Sequence, residues 1–151
     1  MSKLNSIQEI LDFAIEQEQE AVDFYNSLVK TAEIKDMQKI FKSFALEEIG
    51  HKARLTKIKN EGIYNWKNES VADLKIADYL TDTEPSPDMD YKDALILAMQ
   101  REKNAYKLYN KLAFRAPNND LKEIFLSLAS EESKHKLRLE LEYDDYVLRE
   151  N

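Results

Sequence analysis

The stretches Phe44-Ala-Leu-Glu-Glu-Ile-Gly-His51 and Leu128-Ala-Ser-Glu-Glu-Ser-Lys-His135 decide the fold of this chain. Each ends in a glutamate and a histidine that are three residues apart, and the chain holds no other histidine. On an α-helix this spacing places both side chains on one face. Each stretch therefore predicts a helix that presents a carboxylate and an imidazole in the same direction.

The two stretches belong to a repeat with an offset of 84 residues. Identical residues recur at this offset at Ala14 and Ala98, Ala21 and Ala105, Tyr25 and Tyr109, Leu28 and Leu112, Ile40 and Ile124, Phe41 and Phe125, and Ala45 and Ala129. The offset holds across the connection inside each half, so each half is predicted to be a helical hairpin. Two such hairpins make a four-helix bundle.

Helix breakers are rare in this chain, which has two glycines and three prolines in 151 residues. Sheets and sandwiches need more frequent turns than this. Apolar residues recur every three or four positions along four segments, which is the helical period. We therefore predict a single all-α domain over residues 1–151, with hairpins at 5–60 and 91–147 and a long crossover connection at 61–90.

Two places between the helices carry local signals. A short amphipathic piece around Val71 to Leu80 is compatible with a helix inside the crossover. In the second hairpin, Ala116-Pro117-Asn118-Asn119 predicts a turn, and either Asn118 or Asn119 is suited to cap the N-terminus of the last helix.

Six polar residues occupy core positions within the apolar stripes. They are Glu18, Glu48, His51, Glu102, Glu132 and His135, and the same offset relates them in three pairs. Buried carboxylates without a partner cost several kcal/mol each, and no lysine or arginine lies in the stripes to neutralise them. Two divalent cations would balance four carboxylates, with neutral histidines completing the coordination. We therefore predict that these six residues bind two metal ions.

The remaining glutamates have a simpler interpretation. Glu16, Glu20, Glu47 and Glu131 are expected to form a solvated face. The alternative for the whole pattern is chance, because a glutamate three residues before a histidine arises easily among 29 acidic residues. The agreement of all six core positions with the repeat favours the metal site.

The residue types indicate which metal would bind and what surrounds it. Oxygen-rich ligation with one imidazole per ion suits iron or manganese better than the usual tetrahedral zinc site. Alanines beside the glutamates of the first and third helices leave space for an ion or an oxidant. Tyr25 and Tyr109 lie two turns from Glu18 and Glu102 on the same face, so their hydroxyls can hydrogen-bond a ligand carboxylate. Plain core packing is the alternative role for these tyrosines.

Composition excludes several function classes. A net charge of −7 and a pI near 5.0 argue against nucleic acid as a partner. The absence of cysteine excludes thiolate zinc sites, iron–sulfur clusters and a rubredoxin-type iron centre from these 151 residues. No basic segment followed by an apolar run marks a signal peptide, and no apolar run is long enough for a membrane span. We expect a cytoplasmic protein.

On these residues the sequence resembles the rubrerythrin family of ferritin-like di-iron carboxylate proteins. That group takes one glutamate from each of two helices and Glu-x-x-His from each of the other two. The resemblance rests on the two opening stretches together with Glu18-Gln-Glu-Ala-Val-Asp-Phe-Tyr25 and Glu102-Lys-Asn-Ala-Tyr-Lys-Leu-Tyr109. It covers roughly residues 5 to 145.

The resemblance implies a fold, a cofactor and an activity. It implies a ferritin-like bundle with two iron ions, or manganese or a mixed pair. Glu18 and Glu102 would act as bridging or terminal carboxylates, and the two Glu-x-x-His motifs would complete the two metal shells. Rubrerythrins reduce hydrogen peroxide to water, and reaction with oxygen is a related possibility. A homodimer is also expected, with exchange of hairpins through the long connection as one alternative.

Two departures from the family pattern qualify this expectation. Without a cysteine-ligated iron domain, the chain would need an external electron donor such as a rubredoxin. Active peroxidases of the family also carry an extra glutamate shortly after the first ligand of the third helix. Here Lys103, Asn104 and Ala105 follow Glu102, so that ligand is absent.

Three other functions remain open on the sequence alone. One is ferroxidation or iron storage, although the chain shows no added fifth helix of the kind that helps ferritins to form a shell. Another is a non-catalytic helical interaction protein with a relic metal site. The last is an oxygen-activating hydroxylase, whose substrate pocket a sequence does not reveal.

Overall fold

The described residues form four long α-helices that account for most of the chain. The computed structural model describes residues 6–61, 65–81, 84–86 and 88–150, so the predicted start of the first hairpin at residue 5 lies outside the described residues. The helices are α1 (Ile7–Thr31), α2 (Lys35–Glu61), α3 (Tyr91–Phe114) and α4 (Asn119–Glu150). The predicted all-α four-helix class is confirmed.

Helix α4 runs three residues beyond the predicted end at residue 147. Its last turn is held by an ion pair, in which the Arg149 guanidinium donates to the Glu142 carboxylate at 3.0 Å. The same carboxylate accepts a hydrogen bond of 2.8 Å from the Tyr91 hydroxyl. Two donors therefore satisfy the buried Glu142 carboxylate, which joins the end of α4 to the start of α3.

Side-chain caps fix where the helices begin. Ser6 caps α1 and Asp90 caps α3, each by accepting the backbone N–H three residues further on. The two candidates for the cap of α4 are resolved, because Asn118 accepts the N–H of Leu121 at 2.9 Å. Asn119 is already the first residue of the helix. These bonds satisfy N–H groups that have no partner inside the helix.

The helices pair as two hairpins joined by a packed crossover. Helix α1 packs chiefly against α2, and α3 against α4. In the crossover, short 3₁₀ helices form at Asn68–Ser70 and Ile76–Tyr79, so the short amphipathic piece around Val71 to Leu80 is helical over only part of its length. The crossover is anchored to the bundle, because the Asn68 side chain accepts the N–H of Ile7 at 3.1 Å. It also buries apolar side chains against the helices, at Trp66, Val71, Leu74 and Tyr79.

Two apolar clusters fill the bundle on either side of a polar layer. One cluster contains Leu55, Leu112 and Phe125 together with the buried side chains of the crossover. The other contains Phe41 and Leu95. The layer between them is formed by the six polar core residues, one or two from each helix. Among the described residues, no helix is long and apolar enough to cross a bilayer.

Candidate metal centre

The six predicted ligands meet in the middle of the bundle. Each is at most 2% exposed to solvent. They form two groups in which the possible ligand atoms all lie within 4.8 Å of one another: Glu18, Glu48, His51 and Glu132, and Glu48, Glu102, Glu132 and His135. Helix α1 contributes Glu18 and α3 contributes Glu102, while α2 and α4 each contribute a Glu-x-x-His pair one helical turn long. Glu48 and Glu132 belong to both groups, so they lie between the two histidines.

The distances inside the layer suit coordination better than hydrogen bonding. His51 Nδ1 lies 2.9 Å from an oxygen of Glu48, 2.9 Å from one of Glu132 and 3.4 Å from one of Glu18. None of these contacts has the angle of a hydrogen bond, so His51 Nδ1 is buried without a partner. Two ligand atoms bound at right angles to one ion, with bonds of about 2.1 Å, lie about 3.0 Å apart.

The orphaned polar atoms test whether this donor set fits metal ions. Among the described residues, eight buried side-chain nitrogen or oxygen atoms lack a hydrogen-bond partner, and seven of them belong to predicted ligands. They include both oxygens of Glu48 and the Nδ1 atoms of both histidines. Folded proteins rarely leave such atoms unsatisfied. A site that binds two cations explains six of these seven atoms, all except the outer nitrogen His135 Nε2, so the donor set fits.

Without metal, protons take over part of the charge balance. Burial, and then the charge of Glu132, raises the pKa of Glu48 well above its usual value. Burial, and then the charge of Glu102, does the same to the pKa of Glu132. Burial opposes a charged His51, but contacts with Glu18 and Glu48 outweigh it and raise the pKa of His51 to about 11. A bound metal ion must therefore displace protons from the site.

Each buried tyrosine binds a ligand carboxylate from the other half of the molecule. The Tyr25 hydroxyl donates to Glu102 at 2.8 Å, and the Tyr109 hydroxyl donates to Glu18. Burial is the main cause that raises the pKa of both hydroxyls well above 10.0, with the neighbouring carboxylates next. The hydroxyls therefore remain protonated and act as donors. Each one binds a single oxygen of its carboxylate, so the other oxygen has no bond to the tyrosine.

The expectation of a purely solvated face was wrong for Glu131, which is half-buried, whereas Glu47 is exposed as expected but also lies near a histidine of the layer. Glu131 Oε1 lies 3.1 Å from His51 Nε2, and Glu47 Oε2 lies 3.3 Å from His135 Nε2. Each carboxylate reaches across to the histidine of the other hairpin, because the residue before each predicted ligand glutamate lies at the edge of the interface between α2 and α4. The repeat relates Glu47 to Glu131, and this was the signal that could have identified them. Glu16 is also exposed as expected.

Glu131 is held in place by further contacts. The Arg54 guanidinium donates to Glu131 Oε2 at 2.9 Å, and the Ser127 hydroxyl donates to the same oxygen at 3.2 Å. Partial burial acts to raise the pKa of Glu131, but Arg54 and then His51 outweigh it and lower the pKa to about 2. Glu131 is therefore an ionised acceptor for the outer nitrogen of His51 at any ordinary pH.

A narrow pocket between α1 and α3 reaches the polar layer. Its walls include Glu18, Glu48, Glu102 and Glu132 as well as the small side chains of three alanines, Ala14, Ala21 and Ala105. The volume of this cavity is about 30 Å³, which suits one or two water-sized molecules. The pocket therefore admits small oxidants or water to the centre.

Polar side chains line one side of this pocket. Arg101 donates to Glu20 at 3.3 Å, and Gln17 donates to the same carboxylate at 3.4 Å. Glu20 is thus partly engaged rather than simply solvated, which corrects the expectation for this residue. Arg101 Nε is buried without a partner. Asn104 also lines the pocket, at the repeat position of Glu20.

Comparisons with known proteins agree with this arrangement. A Thermotoga maritima protein described as a ferritin-like diiron-carboxylate protein has the same fold, with a TM-score of 0.80, 21% identity, and coverage of 97% of this chain and 99% of that chain. A hypothetical protein from Pyrococcus furiosus matches with a TM-score of 0.74 and 25% identity, over 92% of this chain and 89% of that chain. No curated protein sequence matches significantly. The rubrerythrin family model matches residues 9–143, and the chain belongs to the rubrerythrin family.

Proposed function

We propose that this protein is a di-iron oxidoreductase that reduces hydrogen peroxide, or reacts with oxygen, and is re-reduced by an external electron donor. The observation that carries the proposal is the set of six orphaned carboxylate and Nδ1 atoms in the buried Glu/His layer, with a pocket leading to it. A pair of bound ferrous ions would supply the two electrons that convert one peroxide to two waters. The two protons that this reaction consumes would come from the solvent or from the site.

We assign distinct tasks to the six ligands. Glu48 and Glu132 belong to both groups and would bridge the two ions. Glu18 and His51 would complete one position, and Glu102 and His135 the other; manganese or a mixed pair would find the same donors. The hydroxyls of Tyr25 and Tyr109 would hold the carboxylates of Glu102 and Glu18 in position.

The pocket supports a small oxidant as the substrate. About 30 Å³ of space leaves no room for the organic substrate of a hydroxylase. Peroxide and oxygen are close to water in size. Arg101, whose Nε is buried without a partner, provides a hydrogen-bond donor to an oxidant within the pocket.

The first test is an anaerobic titration of metal-free protein with ferrous iron, followed by addition of peroxide. We expect saturation at two ions per chain and oxidation of both by one equivalent of peroxide, followed by ferric absorbance in the near ultraviolet. Addition of a one-electron donor such as reduced rubredoxin should then give repeated turnover. The His135→Ala variant should bind at most one ion tightly and should lose turnover.

Other outcomes would contradict the proposal. Many ions per chain that accumulate only in the presence of oxygen would indicate iron storage. Binding near zero with an unchanged helical circular dichroism spectrum would indicate a structural bundle with a relic site. Oxidation of both ions without any turnover, whatever the donor, would leave ferroxidation as the better description.

A further inference from the structure

Beside the candidate metal centre, one arginine is repeated in the sequence but makes different contacts in the two halves of the molecule. Arg54 and Arg138 occupy equivalent positions of the repeat. Arg54 donates to Glu131, with a distance of 2.9 Å. Arg138 instead points its guanidinium at the sulfur of Met37, with a distance of 3.5 Å. The two halves of the molecule therefore support their metal ligands differently.

This difference affects the two histidines through Glu131 and Glu47, the carboxylates beside their outer nitrogens. The Glu131 side chain is 28% exposed and bonded to two donors besides His51. The Glu47 side chain is 43% exposed and receives a long hydrogen bond of 3.4 Å from Ser43. His51 Nε2 makes a hydrogen bond to Glu131, whereas His135 Nε2 has no hydrogen-bond partner among the residues that the structure describes.

A fixed acceptor at Nε2 matters because both histidines face the centre with Nδ1. When a metal displaces the proton of Nδ1, an acceptor at the outer nitrogen keeps the remaining proton on Nε2, so that Nδ1 binds the metal. The ring of His135 is held in another way, by stacking on Phe44 at 4.0 Å between ring centroids. Stacking fixes the plane of the ring, but a phenyl edge or face does not select the tautomer as a carboxylate does.

We propose that Arg54, by fixing Glu131 against His51, makes the two metal positions inequivalent, so that the position served by His51 binds its ion first and more tightly. Arg54 and Glu131 are positioning residues, because they touch a ligand and not the ion. The inference rests on the proposed two-metal function. It adds an order of binding that neither the repeat nor the six ligands imply, since those are symmetric.

The test uses cobalt(II) as a probe, added to metal-free protein and followed by calorimetry and by the visible cobalt spectrum. We expect two binding phases whose dissociation constants differ about 10- to 100-fold, the range typical of changes to outer partners of a metal ligand. Repulsion between two neighbouring ions would also separate the phases. Matched variants therefore decide the origin of the difference.

The repeat provides those variants. Arg54→Met and Glu131→Ala should weaken the first phase about 10-fold or more, whereas Arg138→Met should leave it within about twofold. Arg54 and Arg138 each carry one positive charge near the site, so a general charge effect would change both variants alike. Equal effects of Arg54→Met and Arg138→Met, or two phases unaffected by Glu131→Ala, would overturn the proposal.

A second measurement needs no metal at all. In metal-free protein, ¹⁵N NMR of the imidazoles should show a slowly exchanging Nε2 proton on His51 and a fast one on His135, and Arg54→Met should accelerate exchange at His51. Equal exchange at both rings would also overturn the proposal. Failure of the proposed function is distinguishable, because it would appear as fewer than two cobalt ions bound per chain.

Discussion

At the scale of single residues, protons and metal ions compete for the same buried atoms. His51 has a pKa raised to about 11 in the metal-free protein, because its contacts with Glu18 and Glu48 outweigh burial. It is therefore protonated throughout the physiological range. The carboxyls of Glu48 and Glu132 also favour their protonated forms, because burial raises the pKa of each. Every such proton must leave before the atom can bind a metal.

Metal affinity should consequently rise with pH. Each displaced proton contributes about one log unit of affinity per pH unit while the pH stays below the pKa of its group, and for His51 this window extends to about pH 11. Calorimetry of cobalt binding at pH 7, repeated in buffers with different ionisation enthalpies, should detect the release of at least one proton per chain. An affinity that does not change between pH 6 and pH 8 would contradict this prediction.

The tyrosine hydroxyls should contribute to metal affinity and little to the fold. In Tyr25→Phe, Glu102 loses its donor, and in Tyr109→Phe, Glu18 loses its donor. We expect metal affinity to fall about 10-fold in each variant, with an unchanged helical spectrum because the ring still fills its place in the core. Tyr106→Phe, at an exposed position away from the layer, serves as the control. Unchanged affinity in both buried variants would show that these tyrosines only pack.

The sequence predicted that the six polar residues would meet in the core, because charged residues at core positions of an apolar stripe are conspicuous, and the structure brings all six together. The sequence did not identify Glu47 and Glu131, since neither lies within a stripe. Their role depends on which side chain faces them across the helix interface, and the periodicity of a single helix does not contain that information. For the same reason, the sequence did not predict that Tyr25 of one hairpin would bind Glu102 of the other.

At the scale of elements, helix starts depend on single side chains that can be tested in pairs. Asn118 accepts the N–H of Leu121, whereas Asn119 lies one residue inside α4. Asn118→Ala should lower the free energy of unfolding by about 1 kcal/mol, and Asn119→Ala should change it much less. Urea unfolding monitored by circular dichroism measures both. Equal losses would place the cap elsewhere.

Helices were the elements most open to prediction, and the crossover was the least. Long apolar stripes with few breakers gave α1 to α4 to within a few residues at most ends. The crossover formed two 3₁₀ turns, and the amphipathic piece around Val71 to Leu80 is helical over only part of its length. Individual apolar side chains of the crossover pack against the bundle, and Asp73 forms an ion pair with Arg115 at the end of α3. Such tertiary contacts outweigh the local pattern.

At the scale of the whole molecule, stability and metal binding oppose each other in the polar layer. Because the pKa of Glu48 is raised in the folded protein, this carboxyl lowers stability at every pH above its unfolded pKa near 4.5, first by taking up a proton on folding and at higher pH by its buried charge. Glu48→Gln keeps the shape of the side chain and removes that cost. We expect the metal-free variant to be more stable than the parent protein by about 1 kcal/mol at pH 7.

Urea unfolding in the presence of a chelator tests the first half of this prediction. Thermal unfolding with ferrous iron tests the second half, since a metal that binds only the folded state raises the melting temperature. The parent protein should gain stability from the metal, and Glu48→Gln should gain little or none. A metal-free variant that is clearly less stable than the parent would show that Glu48 supports the fold as well as the site.

Neither hairpin alone provides all the residues of either candidate metal position. The group around His51 includes Glu132 from the second hairpin, and the group around His135 includes Glu48 from the first. The ions would thus link the two halves across the polar layer, between the two apolar clusters that also join them. If the chain were divided within the crossover and its halves produced as separate polypeptides, the loss of the covalent link would make the contribution of the metal to their reassembly measurable. Such a split protein would act as a sensor, because its reassembly would report free ferrous iron.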